Sequence, residues 1–217
     1  MCTACLPLIF RYGVCKLIKN YIFDFGNVLA RFYPNEVFLR TYPDRKAAEQ
    51  ILSVVFDRKY WDRLDDGTIS EEDVISGIRE RLHGEMGDVA CRLYERWIID
   101  REPVAGMPEL VRDIHAAGGK LYLCSNISIR FAEEYGTNAW IGPLFSLFDG
   151  LVFSGPLHMT KPGSEIFAHL LQTYELDPAE CIFIDDSEKN IIGAKAVNIP
   201  GYLFDGDVEK LRKFIGL

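Results

Sequence analysis

The chain has 217 residues, 48% hydrophobic and 12% aromatic, enough to bury the core of one large domain or of a domain carrying an insertion. Its 32 acidic residues outnumber 24 basic ones for a formal charge of −8, which argues against a nucleic-acid partner, because a phosphate backbone is bound by clustered Lys and Arg. No apolar run reaches the roughly 18 residues of a membrane span, so a soluble, cytoplasmic protein with no membrane partner is expected.

Residues 1–15 read as an N-terminal extension, a tail or an edge strand, and hold Cys2, Cys5 and Cys15. Cys2 and Cys5 form a CxxC with no second pair or histidine partner, which is a weak metal or redox signal. The segment also lacks the basic flank and small-residue cleavage site of a signal peptide. Cys91, Cys124 and Cys181 lie inside apolar segments and read as buried hydrophobes of a reducing compartment.

Residues 17–23 (LIKNYIF) form a short apolar run stopped by Asp24 and Gly26, the pattern of a buried parallel strand ending at a site. From residue 31 to about 101 the pattern is helical throughout. Its clearest start is Ser70 with Asp73 three places on, at capping-box spacing, flanked by Ile69 and Val74 at staple positions. Val74, Ile75, Ile78 and Leu82 then recur at helical period, and Val89, Leu93 and Trp97 repeat it along residues 87–99.

After Pro103 helices and strands alternate: helix 107–117, strand 120–124, a helix from about Ser128, a strand near 151–153 and helix 164–174. Strand 181–184, helix 187–197, a short strand at 202–204 and a last helix follow. Such alternation predicts an α/β fold with a doubly wound parallel sheet, which binds ligands beyond the carboxyl ends of its strands. The expected core comprises residues 16–30 and 103–217, with residues 31–102 inserted as a helical lid over the strand ends.

Those strand ends carry Asp24, Ser125-Asn126 and Asp185-Asp186, and a loop before a helix carries Lys161-Pro162. Singly each reads as a helix cap or turn. Together they place three carboxylates around one point, and hard oxygen ligands with a nearby hydroxyl and lysine suit Mg²⁺ holding a phosphate.

The segments FDFGNVL, LYLCSN, TKP and FIDDSEKNIIGA resemble, in order, the four motifs of the haloacid dehalogenase superfamily, over about residue 17 to the end. The insertion resembles that superfamily's α-helical cap on a Rossmann-like core. DFGNV, WDRLDDGTIS and MTKP are more closely similar to its branch of α-D-glucose-1-phosphate phosphatases. The resemblance implies a Mg²⁺-dependent phosphatase acting on a small phosphorylated metabolite, with a sugar 1-phosphate favoured. In it Asp24 is the nucleophile that forms an aspartyl-phosphate, while Ser125 and the amide of Asn126 bind the phosphate. Lys161 touches nucleophile and phosphate, and the metal is held by Asp24, the Gly26 carbonyl and Asp185, with Asp186 as ligand or support.

Gly26 departs from the superfamily's pattern, in which the residue two places after the nucleophile is an aspartate that serves as general acid, a role worth about 10²–10⁴-fold. Two alternatives therefore stand beside the phosphatase: a metal-free 2-haloacid dehalogenase, which also lacks that acid, and a non-catalytic descendant that binds a phosphometabolite or a protein. The paired Asp185-Asp186 speaks against the first, because two carboxylates without a cation repel, and retention of Asp24 and Lys161 speaks against the second.

His83, His115, His158 and His169 stand at no ligand spacing and read as surface or structural residues. Phe56, Tyr60 and Trp61 form an aromatic cluster in the insertion, from which Trp61 is the candidate for substrate contact. Asp65-Asp66, just before Gly67, reads as a turn.

Overall fold

The computed structural model describes residues 8–11, 14–32, 38–39, 42–96 and 101–217, so Cys2, Cys5 and Trp97 lie outside the described residues. Five parallel strands form the central sheet: β3 (Asn20–Phe23), β4 (Lys120–Ser125), β5 (Gly150–Phe153), β6 (Cys181–Asp185) and β7 (Gly201–Leu203). Their order is β5-β4-β3-β6-β7, so the chain winds outward from β3 in one direction and then returns to build the other half. This is the doubly wound sheet expected from the alternation, and its switch point lies between β3 and β6. The extension, in its described part, is a separate antiparallel hairpin of β1 (Leu8–Arg11) and β2 (Val14–Leu17).

Alternation along β3 sorts its side chains onto two cores. Tyr21 and Phe23 face the larger one, with Leu110, Val111 and Ile114 of α5 (Met107–Ala116) and Leu211 and Ile215 of α11 (Val208–Ile215). Ile22 faces the other, with Phe183, Ile166, Phe167 and Leu170 of α9 (Ser164–Thr173), and Ile191 and Ala194 of α10 (Glu188–Ala196). With helices on both faces, β3 and β6 are buried along their whole lengths, which is why both read as unbroken apolar runs.

Among the described residues the insertion contains helices α1 (Arg45–Val55), α2 (Arg58–Asp65), α3 (Glu71–Arg81) and α4 (Gly84–Arg96). Ser70 caps α3 as its spacing predicts, its hydroxyl accepting from the Asp73 amide at 3.1 Å while the Asp73 carboxylate accepts from the Ser70 amide at 3.2 Å. Val74, Ile78 and Leu82 are buried. On α4, however, the buried residues are Gly87, Ala90, Cys91 and Tyr94, one position round from the expected Val89 and Leu93, which are half-buried. Small Gly87 lies against the Leu82 carbonyl, and the Tyr94 hydroxyl bonds Glu71 of α3, so close approach and a hydrogen bond set this face.

The core also carries the short helices α6 (Ile129–Glu134), α7 (Ile141–Phe145) and α8 (Ser154–Leu157); the last two are too brief to leave a periodic signal. Ser128 caps α6 by accepting from the Phe131 amide at 3.3 Å. The insertion meets the core where α8 leaves the carboxyl end of β5: the Ser154 hydroxyl donates to the Asp65 carbonyl at 2.5 Å, and His158 Nδ1 lies 2.9 Å from the Asp66 carbonyl. Among the described residues no helix is long and apolar enough to cross a membrane.

Candidate active site

Where β3 ends, the Asp24 amide bonds the Ile184 carbonyl at 2.9 Å, which fixes the first residue after the strand against the end of β6. Ser125 and Asp185 from two other strand ends and Lys161 from a loop converge there. Lys161 Nζ lies 2.7 Å from Asp24 Oδ1 and 2.7 Å from Asp185 Oδ2, and the Ser125 hydroxyl donates to Asp24 Oδ1 at 2.9 Å. Asp24, Ser125, Lys161 and Asp185 are all buried. Carboxylates are rarely buried unless paired, and this bridging ammonium is what allows two of them here.

The supporting bonds are equally specific. Asn126 holds Lys161 by its backbone, its amide donating to the Lys161 carbonyl at 2.8 Å and its Oδ1 accepting from the Lys161 amide at 2.7 Å. Asp185 accepts from the Ser187 amide at 2.8 Å and from the Asn190 side chain at 3.1 and 3.0 Å. The exposed Asp186 accepts from Asn27 Nδ2 at 3.0 Å. Burial raises the Asp24 carboxyl, against the pull of Lys161 and with a further push from Asp185. Burial works against the Lys161 charge too, but Asp24 and Asp185 overcome it and hold the ammonium above its usual range.

One oxygen each from Asp24, Asp185 and Asp186 lie within 4.8 Å of one another. Three carboxylates against one ammonium leave the cluster two negative charges in excess, and an all-oxygen donor set is what a hard divalent cation takes. The residues therefore fit a metal ion. The Gly26 carbonyl belongs to the same turn, in which the Asn27 amide bonds the Ala30 carbonyl at 2.7 Å.

A cavity of about 810 Å³ opens beside this cluster, lined on the core side by Asn126, Lys161, Ser187 and Asn190. Its other wall comes from residues 32–65: Phe32, Phe56, Arg58, Trp61, Asp62 and Asp65. The insertion thus faces the carboxyl ends of the strands. Phe56 stacks on Trp61 at 5.4 Å between centroids, and Phe32 meets their edges at 6.0 and 5.8 Å. The Trp61 indole N–H donates to the Val55 carbonyl at 2.8 Å, so its one polar atom is committed to the helix behind it. Tyr60, expected in the same cluster, is buried elsewhere, under Arg81 and against Gly77.

Of the site residues singled out in the sequence, Asp24, Ser125, Asn126, Lys161, Asp185, Asp186 and Trp61 lie at this cluster or its cavity, and Gly26 lies in the turn that follows Asp24. Asp65 is a further residue of the site that the sequence does not single out, because its DDG context signals a turn. The turn is real, with Asp66 capping α2 and Gly67 at φ +70°, but Asp65 itself ends the helix and lines the cavity. Its spacing of four from Trp61, placing both on one helical face, is the signal that could have found it.

The family model of the haloacid dehalogenase-like hydrolases matches residues 18–198. The sesquiterpene phosphatase astK of Aspergillus oryzae is 27% identical over 206 residues, which cover 94% of this chain and 100% of that protein. The D-ribitol-5-phosphate phosphatase of Bacteroides thetaiotaomicron is 24% identical over 194 residues, covering 81% of this chain and 86% of the enzyme. Among solved structures, the magnesium complex of a HAD-family enzyme from Bacteroides thetaiotaomicron superposes with a TM-score of 0.67 at 25% identity, over 89% of this chain and 98% of that one. The ordered motifs, the doubly wound sheet and the match across most of its length make this chain a member of the haloacid dehalogenase-like hydrolase family.

Proposed function

We propose that the protein is a Mg²⁺-dependent phosphatase that hydrolyses a small phosphorylated metabolite through an aspartyl-phosphate on Asp24. The observation that carries this reading is the buried Asp24 carboxylate, held 2.7 Å from Lys161 and 2.9 Å from Ser125 beside two further carboxylates. Curated relatives named as phosphatases support it, as does a neighbouring structure solved with magnesium.

Asp24 attacks phosphorus, and its carboxylate becomes an acyl phosphate that water then hydrolyses, so one difficult displacement becomes two easier ones. Lys161 neutralises negative charge on the nucleophile and the transferring group, and the Ser125 hydroxyl turns from Asp24 to a phosphate oxygen. Asn126 keeps Lys161 in place through the paired bonds to its backbone. Asp24, Asp185 and Asp186, with the Gly26 carbonyl, would hold Mg²⁺, which would supply positive charge to offset the phosphate oxygens. Residues 31–102 act as the lid that excludes water.

The similarity of DFGNV and MTKP to glucose-1-phosphate phosphatases points to a sugar 1-phosphate. A second reading, a phosphate ester of an apolar alcohol, is favoured by the wall of Phe32, Phe56 and Trp61, which offers carbon faces and no free indole N–H to a sugar hydroxyl. The relative named as a sesquiterpene phosphatase supports this second reading.

The test is Mg²⁺-dependent release of phosphate from a panel of sugar 1-phosphates, sugar 6-phosphates, prenyl and terpenyl monophosphates and acyl phosphates, with 2-haloacids alongside. Release from phosphate esters that stops on chelation supports the phosphatase. Halide release without metal, or binding with no turnover of any member, overturns it.

A further inference from the structure

Replacing the acid missing at Gly26 requires a carboxyl group that faces the ester, is free of other partners and keeps its proton near neutrality. Gly26 itself is open: a Cβ built there meets nothing within 4 Å. Among the acids of α2 and its flanks, Asp57 is tied to the Lys59 amide and Arg81, Asp62 to Arg58, Asp66 to Thr68 and Asp73 to Ser70. Asp65 differs. Among the described residues no hydrogen bond or ion pair holds its carboxylate, yet it lines the same cavity as Lys161 and Asn126.

Its backbone, by contrast, is anchored. Ser154 donates to the Asp65 carbonyl at 2.5 Å, His158 meets the Asp66 carbonyl at 2.9 Å, and Gly67, at φ +70°, has no room for a Cβ against the Gly155 carbonyl. These contacts dock the end of α2 on the core at the mouth of the site. Burial raises the Asp65 carboxyl to about 7, with Asp62 and Asp24 adding to the rise and Lys161 and Arg58 opposing it. An acid poised near the working pH transfers protons best.

We propose that Asp65 is the general acid and base of this site, supplied by the lid in place of the residue at position 26. The proposal rests on the phosphatase reading. As an Asp24 oxygen bonds to phosphorus, the bond from phosphorus to the ester oxygen breaks. Its electron pair leaves with that oxygen, which takes the Asp65 proton to give the free alcohol. In the second step the Asp65 carboxylate takes a proton from the water that attacks the acyl phosphate. The bond from phosphorus to Asp24 breaks with its pair returning to Asp24, phosphate leaves, and Asp65 is protonated again.

The experiment measures single-turnover phosphoryl transfer from a series of esters, dinitrophenyl phosphate to simple alkyl phosphates, with Mg²⁺, for the unaltered protein, Asp65→Asn and the double variant Gly26→Asp/Asp65→Asn. Asp65→Asn is expected to lose about 10²–10⁴-fold with alkyl phosphates, and less than about tenfold with dinitrophenyl phosphate, whose leaving group needs no proton. The double variant is expected to regain much of the alkyl rate.

The unaltered protein gives a second readout that needs no variant. Its kcat/KM for alkyl phosphates should fall as the pH rises through the Asp65 ionisation, while that for dinitrophenyl phosphate should not. The charged groups that set this ionisation are Asp62 and Arg58 on α2 and Asp24 and Lys161 across the cavity, while Glu188 and Lys189 of α10 line the same space. An equal loss with every leaving group, or no loss with any, overturns the proposal while leaving the phosphatase intact. If the unaltered protein turns over no ester, not even dinitrophenyl phosphate, the phosphatase reading falls and this proposal with it.

Discussion

Lys161 Nζ stands 2.7 Å from Asp24 Oδ1, and both groups are buried, so neither charge is screened by bulk water. Replacing Lys161 by Met leaves Asp24 and Asp185 facing each other with no counter-charge. Removing one partner of a buried pair costs about 3–5 kcal/mol. Urea titration of Lys161→Met at neutral pH should show a loss of that order, partly restored by Mg²⁺. Turnover should fall by several orders of magnitude. A variant as stable and active as the parent would make Lys161 a bystander.

Asp65 gives a stability signature separate from any rate. Its carboxyl sits at about 7 in the folded chain against an ordinary value of 3.8, so the folded state holds the proton more tightly than the unfolded one. The stability this lends is fully present below about pH 4 and is lost as the pH rises through 7. The difference corresponds to roughly 4 kcal/mol as an upper bound, lowered by the residue's partial exposure. Metal-free protein should therefore lose stability between pH 4 and pH 8 relative to Asp65→Asn, and parallel curves for the two would contradict the burial account.

The aromatic wall is tested by Trp61→Ala. Losing this face removes about 1–2 kcal/mol of apolar contact with a hydrophobic leaving group. The KM for a terpenyl phosphate should rise roughly tenfold, with kcat nearly unchanged and little effect on a sugar 1-phosphate. Trp61→Phe should keep most of the affinity, because the indole N–H bonds the protein rather than the ligand. The opposite ranking, with the sugar phosphate weakened more, would favour the sugar reading.

Residues 31–102 are expected to move as a lid. Hydrogen exchange of α2 should slow when Mg²⁺ and vanadate fill the site together, and stay fast with either alone. Protection already complete in the free protein would mean that the cavity is permanently closed.

Much of this site was legible because a parallel sheet delivers strand ends to one edge: apolar runs stopping at Asp24 and Asp185 predict convergence without any knowledge of contacts. Local rules also held at Ser70, where capping depends only on residues three apart. The face of α4 was misplaced because Gly87, Ala90 and Tyr94 gain burial from close packing and a bond to Glu71, neither of which hydrophobic periodicity records. Asp65 escaped notice for a related reason. Its environment is assembled by Ser154, which is 89 positions away, and by Lys161, so only the folded chain distinguishes it from a turn aspartate.

The covalent step on Asp24 is the centre of the account, and trapping the phosphoryl group tests it most directly. Protein mixed with a radiolabelled phosphate ester and Mg²⁺, quenched in acid within one turnover and digested, should carry label on the peptide containing Asp24. The label should be released by hydroxylamine, as an acyl phosphate is, and should be absent from Asp24→Asn, which should also release no phosphate. Phosphate release by Asp24→Asn at the parent's rate, or turnover in which label never appears on that peptide, would contradict it.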